Sequence, residues 1–267
     1  MDIQLLEKRF ALIGARVKLE VIPEPTWRAR PGIDIGRDKS GEFFDIKIAD
    51  GDDVNYEVVN LQKDLRHLLL MARRGASGSK EKFLCGHDER HWFVCAVPGK
   101  SVASVENAME ALQPMFVRRE VFLKLKRSKN RFDRRNEAFV RQGEWFFVPF
   151  PELVFDSNQI HKNEPISRGA GSKPHICEEV FRSGGEAVMS CLEYAAPVLQ
   201  KHFKSFLKSM PEAKRWNWQV RRMNAAVYAR GAVRHADHKT IYLDGWHQVF
   251  MNTESEAPGM RHVVFLD

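Results

Sequence analysis

The stretch AVYARGAVRHADHKTIYLDGWHQVFM, residues 226–251, holds three short runs that suit strands: Ala226–Val233, Lys239–Leu243 and Trp246–Met251. Alternation of period two places one set of side chains on each face of a half-buried strand. Asp244-Gly245 separates the second and third runs, and a D-G pair between apolar strands is the strongest short-range hairpin signature. With a further run at His262–Leu266, the C-terminal end reads as β-rich.

The same signs recur upstream. Residues 2–13 space Ile3, Leu6, Phe10 and Ile13 by three and four, which predicts a helix with one apolar face ended by Gly14. Arg16–Ile22 alternates as a strand, Pro23–Gly32 reads as a loop, and Ile33–Gly36 and Phe43–Ile48 flank a turn. Val54–Leu61 is a strand, and the apolar run His67–Arg73 fits strand or helix. Gly75–Lys80 is a turn, Lys82–Cys85 pairs with His91–Val97, and Ser101 caps a helix over Val102–Leu112 that Pro114 closes. Glu144–Phe150 and Glu186–Leu192 read as strands, 151–184 as long loops, and Val198–Ser209 as an amphipathic helix. Strand runs outnumber scattered helices, so the fold class is α+β: mostly antiparallel sheets with a few packed helices. The chain divides into an α+β unit at 1–113, a basic helical connector at 114–142 and a second α+β unit at 143–267, or forms one continuous domain.

No run approaches the roughly 20 apolar residues of a membrane span, and Asp2, Glu7, Lys8 and Arg9 break any apolar leader. Cys85, Cys95, Cys177 and Cys191 form no C-x-x-C pair, the pattern of free buried thiols. These features predict a cytoplasmic protein with no membrane partner. The formal charge is +7. Segment 114–142 carries ten basic residues against three acids, an excess equal to that of the whole chain. Its Arg118, Arg119, Lys126, Arg127, Arg134 and Arg135 are interleaved with Phe116, Phe122, Phe132 and Phe139. A second cluster, Arg215-Trp216-Asn217-Trp218 with Arg221 and Arg222, sets two tryptophans between basic pairs. Cations that neutralise phosphates, beside rings that stack on unpaired bases, point to nucleic acid. The plainer alternative is core rings on helices with a solvated charged face.

Two His/Asp groups carry candidate chemistry. His235, His238 and His247, with Asp237 and Asp244, offer nitrogen and oxygen ligands for a divalent metal ion. The expected hairpin returns His247 towards His235 and His238. His87, Asp88 and His91 lie in a turn, and with Asp237 they supply candidate catalytic groups. The i,i+4 spacing of His87 and His91 is not on a helix and lacks the H-E-x-x-H order, so a protease is excluded. Turns also collect Asp and His for purely conformational reasons. Arg168–Lys173, followed by His175 and Glu178, is Gly-rich but fails the P-loop pattern. It reads as a surface loop from which Arg168 and Lys173 could meet phosphate. The expectation is a nucleic-acid-associated intracellular protein, in its enzymatic form a metal-dependent phosphodiester hydrolase. The alternatives are a non-catalytic nucleic-acid or protein-binding module, and a small-molecule hydrolase acting on an anionic substrate.

Overall fold

The computed structural model describes residues 3–23, 31–75, 78–99, 101–126, 128–168, 172–194 and 196–256. Helix α1 (Ile3–Ala11) buries Leu6 and Phe10 and ends at Gly14, whose φ of +78° suits a residue without Cβ. Strands β1 (Val17–Ile22), β2 (Gly32–Asp38) and β3 (Gly41–Ala49) form a sheet of order β1-β3-β2, with β1 parallel to β3 and β2–β3 a hairpin. Strands β4 (Val54–Gln62), β5 (His67–Arg74), β6 (Ser79–His87) and β7 (Trp92–Ala96) form an antiparallel meander.

The ambiguous run at His67 is therefore a strand, and its lack of alternation has a physical cause. Both faces of β5 are covered: Leu68, Leu70 and Ala72 pack with α1 and the first sheet. Leu69 packs instead with Leu84 against helix α2 (Val105–Ala111). A strand buried on two faces reads as a continuous apolar run. The cap of α2 is Ser104, not Ser101: its side chain accepts from the Asn107 N–H. Pro114 stands at the start of helix α3 (Met115–Leu125), which buries Val117 and Val121 on Phe139, Phe146 and Val148. The helical connector thus ends at Leu125.

Strands β8 (Val140–Gln142), β9 (Trp145–Pro149), β10 (His161–Ile166), β11 (His175–Ser183), β12 (Glu186–Ser190), β13 (Val198–Leu199), β14 (Gln219–Met223), β15 (Ala226–Arg234) and β16 (Ile241–Met251) complete the fold. Six make one antiparallel sheet, order β10-β11-β15-β16-β9-β8. One apolar cluster runs across the sheet, from Val140 on one edge strand to Ile166 on the other. The three-stranded sheet β13-β12-β14 forms a lobe with helix α4 (Phe203–Ser209).

Three readings need correction. Residues 151–184 hold β10 and β11 rather than loops alone. The helix expected from Val198 begins only at Phe203. Asp244-Gly245 is no hairpin, because β16 runs unbroken through it: Asp244, Gly245 and Trp246 together oppose Arg230, a bulge in which Gly245 takes φ +81°. The true hairpin is β15–β16, joined through 235–240. The run at His262–Leu266 lies outside the described residues, as does Arg127. All four cysteines are free, and no helix among the described residues is long and apolar enough to cross a membrane.

His67 closes the second sheet against Gly86. A Cβ at Gly86 would stand 2.6 Å from His67 Cδ2 and 2.8 Å from Phe93 Cζ. Gly86→Ala should therefore destabilise by about 1–3 kcal/mol, read as a lower denaturation midpoint; an unchanged midpoint would show that the rings yield freely. The His67 Nδ1–H donates to the Leu65 carbonyl, and burial holds its pKa down to about 4. The unfolded imidazole titrates near 6.5. His67 thus contributes fully above that pH, and its contribution is lost as pH falls towards 4. At about 1.4 kcal/mol per pH unit the loss is about 3 kcal/mol. His67→Met should flatten the stability profile by that amount between pH 7 and 4, and an equally steep profile would assign the slope elsewhere.

Candidate metal centre

The register of β11 and β15 builds the site. Their terminal pair is Ile176 with Arg234, so one step further His175 faces His235. The turn after β15 then folds His238 back over both. Ring centroids are 4.2 Å apart for His175–His235, 4.7 Å for His235–His238 and 5.6 Å for His175–His238. One nitrogen from each ring lies within 4.8 Å of the other two.

His175 is 1% exposed, and neither ring nitrogen has a hydrogen-bond partner. Leaving such a polar group unsatisfied costs about 1–3 kcal/mol. Burial, then its two imidazole neighbours, push the His175 pKa down to about 3. Burial, then His235 and Arg134, push that of His238 to about 4. Both rings are therefore neutral near pH 7, the form that ligates metal. His235 accepts from the Asp237 N–H at Nδ1 (3.1 Å), and its Nε2 lies 3.3 Å from the Lys173 carbonyl.

Gly143 closes the site from the β8–β9 turn. It has φ +56°, and a Cβ there would stand 2.8 Å from His238 Nε2 and 3.4 Å from His175 Nε2. The two Nε2 atoms thus flank a space that only glycine leaves open. On the other side of His238, Asp88 Oδ2 lies 3.8 Å from Nδ1. Carboxylates in this position orient ligating imidazoles. Asp88 and Glu89 both contact Arg134 (2.7 Å to Glu89), and Glu89 accepts from the Lys239 N–H. The two His-rich turns therefore meet, through the carboxylates of one and His238 and Lys239 of the other.

The remaining expected site residues are distributed elsewhere. His91 Nδ1 sits 2.7 Å from Glu42, and His87 packs edge-on against Trp92. Asp237 pairs with Lys173 at 3.0 Å. His247 is excluded from the cluster: with no turn at Asp244-Gly245 it stays within β16, buried, its Nδ1–H donating to the Gly245 carbonyl. His175 takes its place. It went unread as a ligand because the Gly, Pro and Ser around it suggested a loop. Arg134 is tied up internally, and Arg135 donates to the Tyr242 carbonyl. Arg118, Arg119, Lys126 and Arg215 are exposed and form no ion pair among the described residues. Arg221 donates to the Gln219 side chain, and Arg222 to the Gly184 carbonyl. Trp216 and Trp218 are half-buried among Tyr194, Phe203 and Phe206, and the Trp218 Nε1–H donates to Ala213.

Beside the histidines lies a cavity of about 180 Å³, walled by β6, β7 and the β8–β9 hairpin. Asp88, Arg141, Gly143, Glu144, Arg168, His238 and Glu254 line it among apolar side chains. The chain matches no family model, no curated protein and no solved structure.

The Asp88–Arg134 contact carries a testable cost. The Asp88 side chain is 9% exposed and Arg134 31%. Arg134→Met leaves a nearly buried carboxylate without its cation and should destabilise by about 2–3 kcal/mol, at the low end for buried pairs because Arg134 is partly wet. Arg118→Met, on an exposed helix face, should change stability by less than about 0.5 kcal/mol. Equal midpoints for the two variants would show that Arg134 does not stabilise the Asp88 carboxylate.

Proposed function

We propose that the chain is a metal-dependent hydrolase, binding one divalent ion, zinc by its ligand chemistry, on His175, His235 and His238. The observation that carries this reading is the buried imidazole of His175, without a hydrogen-bond partner among the described residues, beside the rings of His235 and His238. Three imidazole ligands leave a coordination position for water, the composition of catalytic rather than structural zinc sites. An ion held there by the three imidazoles would lower the pKa of a bound water and so supply a nucleophile for ester hydrolysis near neutral pH. The adjoining cavity is smaller than the roughly 300–1,000 Å³ typical of drug-sized ligands, which favours a small anionic ester over a folded polymer at the reacting centre.

Protein loaded with zinc and dialysed should retain one ion per chain. His175→Ala and His238→Ala should lose it, and Gly143→Ala should lose it through the intruding methyl group. His247→Ala and His87→Ala should keep it. Wild-type protein that retains no zinc, or a His175→Ala/His235→Ala/His238→Ala protein that retains a full complement, would remove the site. Zinc-loaded protein should also hydrolyse an aryl phosphate ester, and chelation should abolish that activity.

A second reading, binding of single-stranded nucleic acid, is supported by the outer face of α3. Phe122 is 73% exposed, one turn after Arg118 and Arg119, which form no ion pair. An exposed ring beside free guanidinium groups is the arrangement that stacks on bases and holds phosphates. The tryptophans, expected from sequence to do this, are packed on one another. Phe122→Ala should cost about 1–3 kcal/mol of oligonucleotide binding. Arg118→Ala/Arg119→Ala should lower the slope of log affinity against log salt by about 1.4. Absence of binding at low ionic strength would end this reading.

A further inference from the structure

We infer that the cavity beside the histidines is a binding site for a small oxyanion, phosphate or carboxylate, gripped by Arg141. The inference deepens the hydrolase reading, on which it rests only in assigning that oxyanion to the substrate.

Size limits the ligand first. A single water needs roughly 10–15 Å³ of such space, so about 180 Å³ admits a group of a few heavy atoms with its water. Charge limits it next. Most ionic groups on the wall are already engaged. Glu254 accepts from the Ala96 N–H at 3.0 Å and from Arg168 at 3.3 Å. Asp88 is held by Arg134. Arg141 and Glu144 remain.

Arg141 sits on β8, its backbone N–H bonded to the Arg134 carbonyl. Its guanidinium forms no hydrogen bond or ion pair among the described residues, and lies over the Phe146 ring at 6.0 Å from the centroid. A cation withdrawn from bulk water is costly unless an anion faces it. Burial lowers the Arg141 pKa below the usual guanidinium value, and Cys95 and the Glu144 carboxylate of the same cavity only partly oppose this. The planar fork of donors matches the paired oxygens of phosphate or carboxylate, a fit that lysine lacks.

Placement ties this group to the metal centre. Arg141 pairs with Phe146 across the β8–β9 hairpin, so Gly143 and Glu144 form its turn. One hairpin thus presents Arg141 and Glu144 to the cavity and the bare Gly143 backbone to His175 and His238. Among the described residues Glu144 makes no ion pair within 4.0 Å, although its charge acts on Arg141. A second, acidic group disfavours a fully ionised dianion and favours an oxyanion bearing its own donor, such as a hydroxyl or an ammonium group. Monobasic phosphate meets that requirement.

The test uses metal-free protein in the presence of a chelator, titrated calorimetrically with inorganic phosphate at pH 6, where the monobasic form predominates. Wild-type protein should bind one phosphate per chain. Arg141→Met should weaken binding at least tenfold. Arg141→Lys keeps the charge without the fork and should weaken it several-fold, which also covers the case that the Met variant fails to fold. Glu144→Gln should remove the preference for the monobasic form, read as an affinity for phosphate that no longer falls between pH 6 and pH 8. Absence of saturable binding, or identical affinity in the folded Arg141 variants, overturns the proposal. Zinc retention by the Arg141 variants should match wild type. If wild-type protein binds phosphate through Arg141 but retains no zinc, the oxyanion site stands and the hydrolase reading falls.

Discussion

Two adjacent carboxylates, Asp88 and Glu89, closing on Arg134 are the constraint from which the rest of the site follows. They project from the β6–β7 turn of the first half, while Arg134 comes from the segment between the halves. Glu89 also takes the Lys239 N–H, which fixes the β15–β16 turn of the second half. Three distant stretches of chain are pinned at one point. His238 sits in the pinned turn, so its ring is aimed from outside its own sheet. Without this clasp His175 and His235 would still face each other across β11 and β15, but the third imidazole would ride on a free loop.

The clasp also explains why the cavity stays polar. Apolar side chains from β6, β7 and β9 line much of the seam between the two halves. The remainder holds charged groups, most of them paired. Ion pairs of this kind add little net stability over an apolar filling. Their effect is on placement: each anchors a backbone segment against its neighbour. The seam is therefore an ordered polar region at modest energetic cost, which suits a place where chemistry needs fixed geometry.

The sequence made the class of fold legible and left the site half legible, for identifiable reasons. The hairpin β2–β3 and the meander β4–β7 carry their own turn residues, and their pairing is local. Asp244-Gly245 carried the same chemistry and misled, because a glycine at positive φ serves a bulge as well as a turn. Which of the two forms depends on β9 and β15 pairing along both sides of β16, a long-range fact. His235 and His238 could be singled out because they stand close together in the chain. His175 stands sixty residues before His235 and joins it only through strand register. Arg141 is one charge among ten in the sequence, and only its place in the cavity wall distinguishes it.

Near the end of the described chain, Glu254 bonds back to Ala96 across 158 positions, and Thr253 to Leu112. During vectorial synthesis, the first two sheets and α2 are complete once residue 112 has emerged. Their joint with the second half is not, because its last contacts have yet to be made. At about 5–20 residues per second, the intervening stretch takes roughly 7–30 s to appear. At the same rate Arg134, the cation of the acidic β6–β7 turn, follows residue 112 after only about 1–4 s. The Ala96 N–H and the Leu112 carbonyl wait the full interval for their partners at 254 and 253, so the joint between the halves is completed in two steps set by the timing of translation.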